Sequence, residues 1–314
     1  MPTRLSLERI AKAVTVIDPV FLNSPQYLAE SLSRRLGCRL VVKIETLNPI
    51  RSFKGRGTEC LFSSLRGQPH LVCSTAGNFG QGMAYSARKR GVPVTIFVPE
   101  NANPFKVERM RAFGADVRFA KDSDEAEVAR AFAAEHGAQL VEDGKDVAIG
   151  EGAGTIALEL LRWPEPFDVV LVPLGDGSLL AGVSRWSKAH QPGTRMIGVC
   201  AKGSPAMERS WRTGRIQELA AETIADGLAV SRPHAEALAD LTGQLDDIIL
   251  VEDGAILEAM RLAHQELGVV LEPSGAAALG VLIGSGEQFR NQLVGVILTG
   301  GNITADQIRR WLIP

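Results

Sequence analysis

An α/β fold of two doubly wound open-sheet lobes, the smaller inserted in the larger, is what this sequence predicts. Three observations carry the prediction. From Leu71 onward, short β-branched runs alternate with helical patterns, the mark of a parallel sheet with crossover helices. A second set of runs, from Val169 onward, is almost continuously apolar, as strands covered on both faces must be. Polar loops marked by glycine follow several of these runs, where open α/β sheets bind their ligands.

Taken in order, Leu40 to Ile44 is the first strand expected, and it belongs with the larger sheet. Leu71-Val72-Cys73, Val94 to Val98, Val117-Arg118-Phe119 and Gln139-Leu140-Val141 are the strands of the smaller lobe. Helices are expected between them at about Gly80 to Lys89, Pro104 to Phe113 and Asp124 to His136. Arg90-Gly91 and Phe113-Gly114 read as helix C-caps. The larger lobe resumes with Val169 to Val172, Met196 to Val199, Ile248 to Val251 and Leu293 to Leu298. Pro164-Glu165-Pro166 marks a lobe boundary by its turn chemistry. The lobes are assigned as residues 1–67 with 148–314, and residues 68–147. The cleft between them is the natural site. The longest apolar run, Gly275 to Gly284, is half the roughly 20 residues a membrane span needs, so it is expected as a buried helix.

Composition narrows the function. The chain has 314 residues, 45% of them apolar and 22% charged, which suits a soluble protein with a sizeable core. A net charge of -2 supplies no basic field for nucleic acid or an anionic membrane, so the expected partner is a small molecule. Arg4, Glu8, Arg9 and Lys12 interrupt the N-terminal segment and leave no apolar core for a secretory signal. Cys38, Cys60, Cys73 and Cys200 show neither close pairing nor metal-type spacing. They are expected as small buried thiols in a cytoplasmic protein, with no metal site.

The chemistry starts at Lys54, in Ser52-Phe53-Lys54-Gly55-Arg56-Gly57. Lysine forms an imine with a carbonyl cofactor when burial lowers its pKa enough to free the amine, and neighbouring glycines let a flat ring approach. Phe53 can pack on one face of that ring. Alone, Lys54 reads as a surface lysine in a turn; three later loops reverse this. Ser74-Thr75-Ala76-Gly77-Asn78 follows a strand and precedes a helix, so its N–H groups and hydroxyls can cradle a substrate carboxylate, and Asn78 can meet a polar edge of the cofactor. The same residues would also serve as an ordinary helix N-cap.

Gly175-Asp176-Gly177-Ser178-Leu179 has the same placement, before a helix expected at Leu179 to His190, and makes a nest for a phosphate. It is neither the dinucleotide fingerprint nor a nucleotide P-loop. At about 5 Å and an effective dielectric near 20, one carboxylate charge opposes one phosphate charge by roughly 3 kcal/mol. The Asp176 side chain is therefore expected to point away, leaving only its backbone to the nest. Thr299-Gly300-Gly301-Asn302 ends the last strand, where the Thr299 hydroxyl can meet a ring nitrogen. A lysine, an anion cradle, a phosphate loop and a late hydroxyl are the parts needed to hold pyridoxal 5'-phosphate.

With these elements in this order, the chain resembles the fold-type II pyridoxal-phosphate enzymes of tryptophan synthase β-like architecture, and within them the serine/threonine dehydratase and serine racemase group. The resemblance spans nearly the whole length. It includes Gly77-Asn78-Phe79-Gly80-Gln81-Gly82, Lys106-Val107 to Val117, Gly154 to Glu159, Thr223-Ile224-Ala225-Asp226-Gly227-Leu228 and Glu272-Pro273-Ser274-Gly275-Ala276-Ala277. It implies Lys54 as the imine lysine, Asn78 at the cofactor's phenolic oxygen, Gly175 to Leu179 at the phosphate, Thr299 at the ring nitrogen, and a homodimer.

Departures from the family pattern sharpen the expectation. Similar racemases carry a serine acid where this chain has Ala76, and alanine donates no proton, so one-sided elimination is favoured over racemisation. Relatives with a divalent cation carry a glutamate where Cys200 stands; Glu208 is a displaced candidate. Asn23-Ser24-Pro25 and Phe79 replace a Thr-Pro-Leu and a histidine, and both bear on the substrate. With Pro314 the last residue, feedback control by an amino acid through a C-terminal regulatory domain is not expected. The expected activity is a carbon-nitrogen lyase, a dehydratase converting a β-hydroxy L-amino acid such as threonine or serine to a 2-oxo acid and ammonia. Cysteine synthase-like β-replacement, racemisation and a non-catalytic cofactor carrier are the alternatives.

Overall fold

A computed structural model describes residues 4–75, 77–120 and 125–313. Among the described residues, ten strands form two sheets. β1 (Gln26–Leu28), β2 (Arg39–Ile44), β7 (Val169–Pro173), β8 (Arg195–Ala201), β9 (Asp247–Val251) and β10 (Leu293–Leu298) make a six-stranded sheet. β3 (Leu71–Ser74), β4 (Val94–Pro99), β5 (Asp116–Ala120) and β6 (Gln139–Leu140) make a four-stranded one. Their spatial orders are β1-β2-β10-β7-β8-β9 and β5-β4-β3-β6. Every pairing is parallel except β1 against β2.

The apolar runs explain the larger sheet. Val294, Val296 and Leu298 of β10 pack into one core while Leu293 and Ile297 pack into the other, and β2 and β7 alternate the same way. A strand whose side chains alternate between two buried faces has no solvent face, hence the unbroken apolar sequence. One face is covered by the helices Asp253–Leu267 and Pro273–Ser285, the other by Val147–Leu160 and Ser178–His190. The apolar run Gly275 to Gly284 lies within Pro273–Ser285, and no helix among the described residues is long and apolar enough to cross a membrane. The smaller sheet has its own core around Leu71, Cys73, Met83, Ile96 and Met110.

Glycine and proline punctuate the helices as their chemistry requires. Gly91, at φ 65°, closes the helix Asn78–Arg90, and the Asn103 side chain accepts from Phe105 N at 3.0 Å to open Pro104–Ala112. Asp124 lies outside the described residues; the helix expected from it runs Glu125–His136. All four cysteines are buried and free.

Two expectations need correction. Pro164-Glu165-Pro166 is a turn inside the larger lobe, because the helix Val147–Leu160 before it and β7 after it share one core. β1 was not anticipated: three residues without apolar alternation carry no strand signal. The chain thus enters the larger sheet at β1 and β2, builds the smaller through β3 to β6, and returns at β7. We propose lobe limits at residues 1–67 with 148–314 and at 68–147 on this connectivity.

Candidate active site

The carboxyl ends of β3, β7 and β10 face one cavity of about 360 Å³. It is lined by Phe53 and Lys54, by Ser74, Thr75, Gly77 and Asn78, by Gly175 to Leu179, and by Thr299. Four segments far apart in sequence therefore converge on one cavity. Ala76 lies outside the described residues. Phe79 also lines the cavity, whereas Asn23-Ser24-Pro25 does not. That segment instead meets a buried ion cluster, Asn23 N and Ser24 N donating to the Glu159 carboxylate at 2.8 and 3.2 Å.

Lys54 opens the helix Lys54–Ser64 on a loop stitched to the end of β10. Phe53 N donates to Thr299 O at 3.0 Å and Gly301 N to Arg51 O at 3.0 Å, while Ser52 bridges Gly300. The Lys54 Nζ donates to the Asp143 carboxylate and lies 4.9 Å from the centre of the Phe53 ring. Burial is the largest single influence on this amine and pulls its pKa down, but Asp143, Asp176 and Glu272 together carry it above the ordinary lysine value. This corrects the expectation of a lowered pKa: the surrounding carboxylates outweigh desolvation.

Asp143 is held in turn. The Ser178 hydroxyl donates to its Oδ1 at 2.6 Å and Gly144 N donates to the same oxygen at 3.0 Å. Ser178 begins the helix Ser178–His190, and its cap Gly177 sits at φ 103°, a left-handed conformation that side chains resist. A Cβ on Gly175 would collide with Gly227 O, so the loop must be bare backbone there. Asp176 lines the same cavity. Burial first, then Asp143, push it up to about 6, with Lys54 opposing, so it shares the cleft with that lysine.

On the other wall, Thr75 N donates to Phe97 O at 2.9 Å and Gly77 N to Thr75 Oγ1 at 3.1 Å, turning the chain into the helix that starts at Asn78. The Asn78 amide is fixed at both ends: its Nδ2 donates to Glu272 Oε1, and its Oδ1 accepts from Asn302 Nδ2 at 2.9 Å. Behind Gly77, Lys106 is 1% exposed and pairs with Asp226 at 2.7 Å and Glu272 at 3.0 Å. A Cβ on Gly77 would lie 3.2 Å from its Nζ. Burial drives Glu272 upward against the pull of Lys106, while Glu272 and Asp226 overcome burial to raise Lys106.

Asp143, Lys106, Asp226 and Glu272 were not anticipated as site residues. Asp143-Gly144 reads as turn chemistry, and Glu272 before Pro273 reads as a helix cap. Cys200 donates to Leu174 O at 3.4 Å inside the core, and Glu208 is engaged by Arg212 and Arg209. Among the described residues, no group of three or more His, Cys, Asp or Glu side chains could hold a metal ion.

The sequence model of the family described as pyridoxal-phosphate dependent enzyme matches residues 17–300. The chain belongs to this family. An L-threo-3-hydroxyaspartate ammonia-lyase of Pseudomonas sp is 31% identical over 308 residues, covering 96% of this chain and 97% of that protein. A solved threonine deaminase from T.th. superposes with a TM-score of 0.90 at 34% identity, covering 95% and 99% of the two chains. Maize serine racemase superposes at 0.91 and 28% identity, covering 98% and 96%. The cavity of this pyridoxal-phosphate enzyme carries two features that fit its cofactor, a part-buried primary amine and a glycine-lined helix start.

Proposed function

We propose that this pyridoxal-phosphate enzyme is a dehydratase, an ammonia-lyase that converts a β-hydroxy L-amino acid such as threonine or serine to a 2-oxo acid and ammonia. The observation that carries the reading is the convergence of Lys54, the Ser74 to Asn78 loop, the Gly175 to Leu179 loop and Thr299 on one cavity. Relatives named as ammonia-lyases acting on threonine or 3-hydroxyaspartate, aligned over nearly the whole chain, support it.

Bound pyridoxal 5'-phosphate supplies an electron sink at the substrate's α-carbon. Lys54 would hold it through its amine, and that amine, oriented by Asp143, is the base placed to accept a substrate proton. The N–H groups of the Ser74 to Asn78 loop hold the substrate carboxylate, above a Lys106 whose charge is already met by Asp226 and Glu272. Asn78, its amide fixed by Glu272 and Asn302, would meet the cofactor's phenolic oxygen. Thr299 would offer a hydroxyl, not a carboxylate, to the ring nitrogen, a partner that would not hold that nitrogen protonated. Phe53 packs against the ring, and Gly175 to Leu179 receive the phosphate. A cytoplasmic homodimer completes the proposal.

The test is 2-oxo acid release from serine, threonine and 3-hydroxyaspartate by the purified protein, beside Lys54→Ala. We expect turnover of at least one substrate, abolished in the variant while its circular dichroism is unchanged. Oxo acid production by Lys54→Ala, or product formation only when a thiol is added, would overturn the reading.

A further inference from the structure

Asp176 stands where an anion is least welcome. It lies between Gly175 and Gly177 in the loop proposed for the cofactor's phosphate, immediately before the helix Ser178–His190. Lys54, the cation that acts on Asp176, is already bonded to Asp143. Ser178, the other polar side chain of the loop, turns its hydroxyl to Asp143 Oδ1 at 2.6 Å. A phosphate entering this loop meets one carboxylate whose charge is balanced and a second whose charge is not.

We propose that the loop takes up the cofactor's phosphate together with one proton, carried by Asp176. The inference rests on the assignment of Gly175 to Leu179 to the phosphate. Like charges forced into one buried site cannot both ionise, so binding of a dianion retains the proton on the nearest carboxylate. Burial and Asp143 already hold this carboxyl up to about 6 before any ligand arrives. Besides Lys54, Asp143, Lys106, Asp226 and Glu272, the charged side chains lining the cavity are Glu125, Arg130, Glu142, Arg232 and the half-buried His234, whose own pKa is lowered by burial first and Lys145 second; Arg130 pairs with Glu142 and Arg232 with Glu218. Glu272 reaches Lys54 from the Pro273–Ser285 helix start. Above pH 6 the free protein has lost the Asp176 proton and must regain it on binding, so affinity falls about tenfold per pH unit.

The probe is 4-deoxypyridoxine 5'-phosphate, which lacks the aldehyde and so leaves Lys54 chemistry out of the measurement. Its affinity is measured by calorimetry at pH 6, 7 and 8 in two buffers of different ionisation enthalpy, for the wild type, Asp176→Asn and Asp176→Gly. We expect the ratio of wild-type to variant Kd to rise about tenfold per pH unit above 6, with one more proton taken up by the wild type at pH 7. Equal slopes and equal proton uptake would overturn the inference while leaving the loop assignment standing. Unchanged affinity in Gly177→Val would instead remove the phosphate from this loop and overturn both.

Discussion

Asp143 is the residue that most changes the account of Lys54. Its carboxylate bonds the Lys54 Nζ directly and is the first of the groups that carry the amine's pKa upward against burial. Removing that charge in Asp143→Asn should let the amine titrate lower. Trinitrophenylation of the cofactor-free protein across pH reads this, and an unmoved midpoint would deny the pair its influence. Ala76 makes a second claim at this scale. Because alanine donates no proton, Ala76→Ser should introduce serine enantiomer exchange detectable by chiral chromatography. No gain in exchange would count against the role given to that position.

Among the elements, the start of the Pro273–Ser285 helix and the end of β10 are locked together at Gly300. A Cβ there would collide with Glu272 Oε1 and come within 3.0 Å of Asn78 Nδ2. Gly300→Ala should therefore cost about 1 to 3 kcal/mol of stability, measured by urea unfolding, and displace Asn78 from its fixed orientation. The elements themselves were largely legible in the sequence. β7 and β10 announced themselves because a strand buried on both faces must be apolar throughout, and the polar loops after them because a glycine-marked turn there breaks the apolar run. What could not be read were partnerships between distant charges. Nothing in Asp143-Gly144 says that Lys54 lies against it, and nothing in Lys106 says that Glu272, far along the chain, neutralises it beneath Gly77. Periodicity reports the face on which a side chain lies, whereas pairing depends on how separate elements close on one another.

Across the whole molecule, one buried ion cluster ties the N-terminal segment, β2 and two helices together. Arg56, fully buried, donates to Glu45 at 2.8 Å and to Glu159 at 2.7 Å, and Lys43 reaches Glu159 at 2.6 Å. Burial, the largest influence on Glu159, would raise it, yet Arg56 and Lys43 together hold it down to about 2. A folded-state pKa below the unfolded value of about 4.3 gives stability that is present above that pH and lost as pH falls toward about 2. Glu159→Gln should lower stability at pH 7 and flatten the acid limb, read from urea midpoints at pH 7 and pH 3. A variant as acid-sensitive as the wild type would contradict the cluster's role. The insertion of β3 to β6 between β2 and β7 has a different consequence. The proposed imine lysine and the proposed carboxylate cradle thus lie on separate stretches of gene, so a sister enzyme's inserted stretch, transplanted with partners for Glu272 and Asp226, should bring its own appetite while Lys54 still carries the chromophore.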